Sequence, residues 1–504
     1  MNRRKFLTLG SVAPVLWSQS RWQNNPTTQA GFAEADITPE IGMEQPGGYG
    51  KVFHRSLHDP CKARAAVFED GGKRVAVVGL DALIVPRRLV AAVRKQVEGA
   101  TGIAGEAVLI NASHSHSSGP TGMIQPGEYD QAPELVRKLA YEHSSCADAR
   151  YLKLVESQIV KAVVEANGGR AGLLCGVGSG VEDRAAFNRR FRMRNGRTYT
   201  HPGQGNPEIV KVAGPIDPEV GVIGAWTRDG QLAGCLVNYA CHATTSPGGI
   251  SANWIYYMER AIRGVFGPRA VVVFLQGACG DVTQVDNLNP YQQPSGNEYA
   301  QLVGGRVGAE AVKVLLSMPR GALTPVDYRT RLLRIARRKP TPERIKESLA
   351  MVAKEPKQVG VTEWTFAKET VLLEALLKRE PVADVEVQAI QIGPAVIVAN
   401  PAEYFVEFGL EIKAKSRFRY TFPAELSNGC VGYVPTEEAL SDAGGGYETR
   451  LTSYSNLIPS AGREIAVAGI ELANSLTPGA EPAPPKAKPY TAPWTYGDVP
   501  AQRN

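Results

Sequence analysis

Short apolar, β-branched runs alternate along this chain with segments of helical period, and that alternation constrains its fold more than any other feature. Ala65–Phe68, Val75–Leu80, Ala107–Ile110 and Val271–Leu275 are brief, and Gly, Asp or Asn bounds most of them, as expected of buried strands. Between them, Arg88–Glu98, Ala149–Ala166, Tyr256–Val265 and Glu298–Ser317 repeat with the spacing of helices. Strands interleaved with helices predict an α/β fold, with layered mixed β-sheets flanked by helices. The charged stretch Thr341–Lys378 reads as helical, with Pro342 in a first turn, before strands return at Val385–Ile392 and Ala395–Ala399.

Nothing in this succession marks a linker, so one catalytic-sized domain is expected over 31–475. The tail from Thr477 carries seven prolines in 28 residues and reads as extended or disordered. With 43% hydrophobic and 21% charged residues, the 504-residue chain is ordinary for a globular protein and excludes disordered, collagen-like and coiled-coil classes. A net charge of +6 over this length is mild and argues against a nucleic-acid partner.

The first residues read as an address. Arg3-Arg4-Lys5-Phe6-Leu7 opens a short apolar run to Trp17, interrupted by Pro14. A basic start before about ten apolar residues is the pattern of an export signal, and the paired arginines suit the twin-arginine type. Residues 1–30 are therefore expected to be a leader, and the protein to be periplasmic or secreted in a bacterium. The seven cysteines include no Cys-x-x-Cys pair. An odd count leaves at least one free thiol, Cys175, Cys235, Cys241 and Cys279 read as buried small hydrophobes, and one bridge involving Cys146 is open given export.

Three strand ends carry chemistry-bearing residues. In Leu109-Ile110-Asn111-Ala112-Ser113-His114-Ser115-His116, an apolar run passes into two histidines two residues apart, a spacing that can aim both into one site. Leu236-Val237-Asn238-Tyr239-Ala240-Cys241-His242 and Val273-Phe274-Leu275-Gln276-Gly277-Ala278-Cys279-Gly280-Asp281-Val282-Thr283 do the same with a histidine and with an Asp and a Thr. Ligands of α/β sheets gather at such carboxyl ends. Each also has a plain structural reading: a loop or core histidine bonded to backbone, or a tight turn capped by Asp.

Taken together, these motifs resemble the neutral, or non-lysosomal, ceramidases, a family of zinc amidohydrolases. Further motifs fit in order: Ala35-Asp36-Ile37-Thr38-Pro39, Gly47-Gly48-Tyr49-Gly50, Ala63-Arg64-Ala65, Val77-Val78-Gly79-Leu80-Asp81, Asn400-Pro401-Ala402-Glu403, Leu426 to Glu438, and Gly446-Tyr447-Glu448. The resemblance implies Zn²⁺ held by His114, His242, Glu403 and Tyr433, with a water left to be activated. It implies that His116 orients or exchanges a proton with the reacting groups, and that Arg189 or Tyr447 donates to a developing oxyanion. Thr283 stands where the family has a serine, keeping the hydroxyl on a stiffer side chain. Asn253 stands where the family has an aspartate, which removes a charge. The implied substrate is an N-acyl amide, ceramide or a ceramide-like lipid, reached through transient contact with a membrane surface. Two other readings share the scaffold: a zinc hydrolase for another acylated or glycan-derived compound, and a binding protein without turnover. In the basic segment Arg184, Arg189, Arg190, Arg192, Arg194 and Arg197, only Arg189 is singled out, and most of them read as a solvated loop.

Overall fold

The computed structural model of the chain describes residues 26–484, 486, 489 and 494–504. Of the segment read as a leader, residues 1–25 lie outside the described residues, whereas 28–30 belong to the strand Thr28–Asp36 of the main sheet. Among those described, no helix is long and apolar enough to cross a membrane.

Eight strands form the larger sheet, in the spatial order Val271–Gln276, Leu232–Tyr239, Glu219–Trp226, Ala171–Val181, Thr28–Asp36, Lys62–Asp70, Lys73–Leu80, Val108–Ala112. The pairs at its two ends are parallel and every pair between them is antiparallel, so the sheet is mixed as the sequence predicts. The sheet rolls until its edge strands approach each other: Gln276 N donates to Asn111 Oδ1 at 2.8 Å. Gly79 permits the approach, because a Cβ there would lie 2.4 Å from the Phe274 carbonyl oxygen. Helices cover this sheet. Arg87–Thr101 and Ala149–Gly168 pack on one part, and Trp254–Phe266 and Asn297–Ser317 on another. Asp148 starts the second of these by accepting from Arg150 N and Tyr151 N.

A second sheet, Val326–Ala336, Val382–Ile392, Ala395–Ala399 and Tyr420–Ala424, ends in another parallel pair. It joins the first through Asn238, whose Nδ2 donates to both Leu275 O and Pro423 O. The charged stretch read as one helical region is three helices, Pro342–Val352, Pro356–Val359 and Val361–Arg379, divided at Pro356 and Gly360. Of the Pro-rich tail, the beginning is tied down: Gln391 Nε2 donates to Thr477 O and Gly479 N to Gly393 O.

All seven cysteines are free, Cys146 included, so the bridge that the sequence left open does not form. One expectation is corrected. The basic segment is not uniformly solvated. Arg190 is as buried as Arg189 and lies over the Phe405 ring with its Nη2 donating to Gly445 O, while Arg184, Arg194 and Arg197 are exposed.

Candidate metal centre

The parallel strands place the site. Val108–Ala112, Leu232–Tyr239, Val271–Gln276, Ala395–Ala399 and Tyr420–Ala424 each run out at their carboxyl end into a loop or short strand bearing an expected site residue. Glu403 and Tyr433 are register partners across the short parallel pair Ala402–Tyr404 and Gly432–Val434, which puts their side chains on one face. His114 leaves its strand in a left-handed conformation, φ 59°, and Ser115 bridges Ala243 while His116 N donates to Ala243 O. That backbone is costly for a non-glycine residue and persists only where its surroundings hold it. It turns the His114 ring toward His242.

The three imidazoles form a cluster whose ligand nitrogens all lie within 4.8 Å of one another. The His114 ring centroid is 4.6 Å from that of His242 and 4.7 Å from that of His116. His114 Nδ1 meets Leu83 O at 3.0 Å, and His242 Nδ1 meets Cys279 O at 2.7 Å. A carbonyl only accepts, so each Nδ1 carries the proton and each Nε2 presents a lone pair. Both lone pairs face Glu403, whose Oε2 is 3.2 Å from His114 Nε2 and 3.3 Å from His242 Nε2. His242 Nε2 and Glu403 Oε2 are fully buried and neither has a hydrogen-bond partner. Lone pairs converging in a buried space without a proton between them are what a cation requires, so the residues fit a metal.

Without a cation, the surroundings hold His242 and His116 neutral but favour a proton on His114, the proton that a metal would replace. Burial opposes protonation of His114, but the Glu403 carboxylate outweighs it and raises the imidazole's pKa. His242 is pushed down to about 3, first by burial and then by Arg189. His116 is held well below the usual histidine range by burial and by the other two imidazoles. Its Nε2 lies 3.2 Å from His114 Nε2. Gly47 makes room for it: at φ +107°, a Cβ there would stand 2.2 Å from His116 Nδ1.

All eight residues singled out from the sequence line one of two adjoining cavities, which share His116 and Tyr447. The first, of about 160 Å³, includes His114, Glu403, Tyr433 and the apolar surfaces of Leu83 and Met123. The second, of about 360 Å³, includes Arg189, His242 and Thr283. Arg189 is buried and fully engaged: Nε donates to Glu448 Oε1 at 2.8 Å, and Nη2 to Gly280 O and to Tyr433 Oη at 2.7 and 3.2 Å. Its guanidinium lies under the Tyr433 and Tyr447 rings, and the two phenol oxygens are 3.3 Å apart. Thr283 Oγ1 donates to Gln284 Oε1.

Asp281, read as presented at a strand end, is turned inward instead. It accepts from Asn188 Nδ2 and Val406 N and so ties three loops together. Asn253 is structural as well. Its Oδ1 accepts from Thr245 N and Trp254 N, capping Trp254–Phe266, so an amide oxygen suffices where a carboxylate is expected. Three contributors carried no role in the sequence reading. Glu448, beside Tyr447, is the counter-charge of Arg189. Glu425, which accepts from Cys279 N and Tyr404 N, is pushed up to about 8 by burial. Tyr454 walls the smaller cavity. Adjacency to Tyr447 was a signal for the first; the other two have none short of the fold.

No family model matches the chain. Neutral ceramidase of Pseudomonas aeruginosa is 25% identical to it over 363 residues, 68% of this chain and 50% of that protein. The crystal structure of neutral ceramidase from Pseudomonas aeruginosa superposes with a TM-score of 0.65 at 20% identity, covering 91% of this chain and 77% of that one. The chain is similar to neutral ceramidase in sequence and in fold. A ceramidase complexed with C2 superposes similarly, with a TM-score of 0.64 at 19% identity over 91% of this chain and 78% of that one. At these identities the structural likeness carries the fold. The chain spans about half the length of the curated neutral ceramidase it matches.

Proposed function

We propose that the chain is a metal-dependent hydrolase that cleaves an N-acyl amide bond. The observation that carries this reading is the pair of unpartnered buried atoms, His242 Nε2 and Glu403 Oε2, facing His114 Nε2 at the floor of an open cavity. His114, His242, Glu403 and Tyr433 would hold the metal, and mixed nitrogen and oxygen donors with two imidazoles suit Zn²⁺ better than Ca²⁺. When bound, zinc supplies Lewis acidity and lowers the pKa of water toward neutrality.

The protein's own residues do the rest. His116, neutral and lining both cavities, is placed to take and return a proton as the amine departs. Tyr447 offers a neutral hydroxyl to the oxygen on which charge develops at the carbonyl. Arg189 acts through others: its Nη2–H donates to Tyr433 Oη and its guanidinium fixes the two tyrosine rings. Thr283 presents its hydroxyl to the larger cavity. Ceramide, in the name of the matched relative, is the first lipid to test, and the basic, apolar start of the chain supports export of the protein. The test is release of free amine from an N-acyl amide by zinc-loaded protein. Turnover that disappears on chelation and returns with zinc supports the reading; turnover that ignores chelation overturns it.

A further inference from the structure

Glu425 follows the strand Tyr420–Ala424 and is fully buried. Its Oε2 accepts from Cys279 N at 3.0 Å and from Tyr404 N at 2.6 Å, and its Oε1 lies 3.0 Å from Cys279 Sγ. Whichever atom of that last pair carries the proton between them, Oε2 only accepts. Burying a carboxyl is costly, and here the cost is offset by two backbone N–H groups that would otherwise go without a partner.

Each of those N–H groups belongs to a segment that presents a proposed metal ligand. Cys279 O accepts from His242 Nδ1 at 2.7 Å, so fixing the Cys279 peptide fixes the ring whose Nε2 faces the centre. Tyr404 directly follows Glu403, and its carbonyl accepts from Gly280 N at 2.9 Å, a second tie between the same two loops. The Glu425 backbone reaches a third ligand. Its N–H donates to Gln276 O at 3.0 Å, Gln276 N donates to Asn111 Oδ1 at 2.8 Å, and Asn111 Nδ2 donates back to Glu425 O. That ring of bonds closes across the carboxyl ends of three strands, three residues before His114. Metal–ligand distances tolerate errors of only about 0.2 Å, so the loops that carry the ligands must be held to each other.

We infer that Glu425 is a positioning residue for the metal: by accepting from Cys279 N and Tyr404 N at one oxygen, it holds His242 and Glu403 at the separation a cation needs. This rests on the reading of His114, His242, Glu403 and Tyr433 as the metal's ligands. Glu425 contributes position rather than charge, since burial pushes its carboxyl up to about 8.

The test is the zinc Kd of the full-length chain, by competition with a chromophoric chelator, with urea unfolding of the metal-free protein measured beside it. Glu425→Gln keeps an oxygen for the two N–H groups and turns an amide N–H toward Cys279 Sγ, so its affinity should stay within a few-fold of the unchanged protein. Glu425→Asp keeps the carboxyl but stops one methylene short, and zinc should bind about 10- to 100-fold more weakly. Glu425→Met, of similar length and without an acceptor, should match Glu425→Asp and serves in its place if the aspartate variant does not fold. A Gln variant as weak as the Asp variant, or weaker, would overturn the inference in favour of charge. Zinc affinity unchanged in the folded Asp and Met variants, with only the urea midpoint lowered, would also overturn it. If the unchanged protein itself takes up no zinc, the metal reading fails, a result that the variants cannot produce.

Discussion

His242 Nε2 and Glu403 Oε2 lie 3.3 Å apart, fully buried, and neither has a hydrogen-bond partner. A buried carboxylate oxygen against an imidazole lone pair is unfavourable unless a cation sits with them. One zinc per chain is therefore expected, measured by elemental analysis of protein purified without chelators. The His114→Ala, His242→Ala double variant should lose it. Zinc retained at full stoichiometry by that variant would contradict the assignment.

Arg189 and Arg194 are five residues apart and differ completely in setting. Arg189 pairs with buried Glu448, whereas the Arg194 side chain is 67% exposed. Arg189→Ala leaves Glu448 buried without its cation, and losses of about 3–5 kcal/mol are typical of that change. Turnover should fall with it, because the Tyr433 and Tyr447 rings lose their support. Arg194→Ala should stay within about 0.5 kcal/mol in urea unfolding and keep its activity. Equal effects from both would favour general electrostatics over a positioned residue.

Tyr447 is half-buried, its hydroxyl 3.3 Å from that of Tyr433. Burial raises the pKa of its phenol, which keeps the proton available for donation at neutral pH. Tyr447→Phe should retain zinc and fold normally while kcat drops by roughly 100- to 1000-fold, the usual cost of one oxyanion donor. Near-native kcat in this variant would remove Tyr447 from the reaction. Loss of zinc would make it a ligand.

Away from the site, Arg64 joins Asp81 and Glu259 in a buried ion cluster, with Lys62 and Arg263 also on Glu259. Burial opposes ionisation of Glu259, but the three cations prevail and hold its pKa down to about 2. An unfolded glutamate titrates near about 4.3, so this stabilisation is complete above that pH and fades as pH falls through about 2. Glu259→Gln should cost about 3 kcal/mol at pH 7, and the gap from the unchanged protein should narrow at pH 3. An equal gap at both pH values would contradict the charge-based account.

Much of this arrangement was legible because it is local. The apolar run into His114 and His116, and the one into His242, announce strand ends by composition alone. The Ala63-Arg64-Ala65 and Leu80-Asp81 motifs prove to be partners, since Arg64 Nη1 donates to Asp81 Oδ2. What pattern could not show is direction and distance. Alternation along a strand does not foretell the left-handed turn at His114, nor that Asp281 points inward to Asn188. The Arg189–Glu448 pair spans 259 positions, and no spacing rule reaches that far. Arg190 sits in a segment crowded with arginines that reads mostly as solvated, yet the Phe405 ring, distant in sequence, packs against it.

The central claim is that this buried cluster makes a metal-dependent amide hydrolase, and it is tested most directly by one measurement: amine release from ceramide by zinc-loaded protein, by chelated protein, and by His114→Ala. Sustained turnover by the first alone, restored to the chelated protein by zinc, is the predicted result. Absence of turnover in zinc-loaded, folded protein, or undiminished turnover in all three, would contradict it.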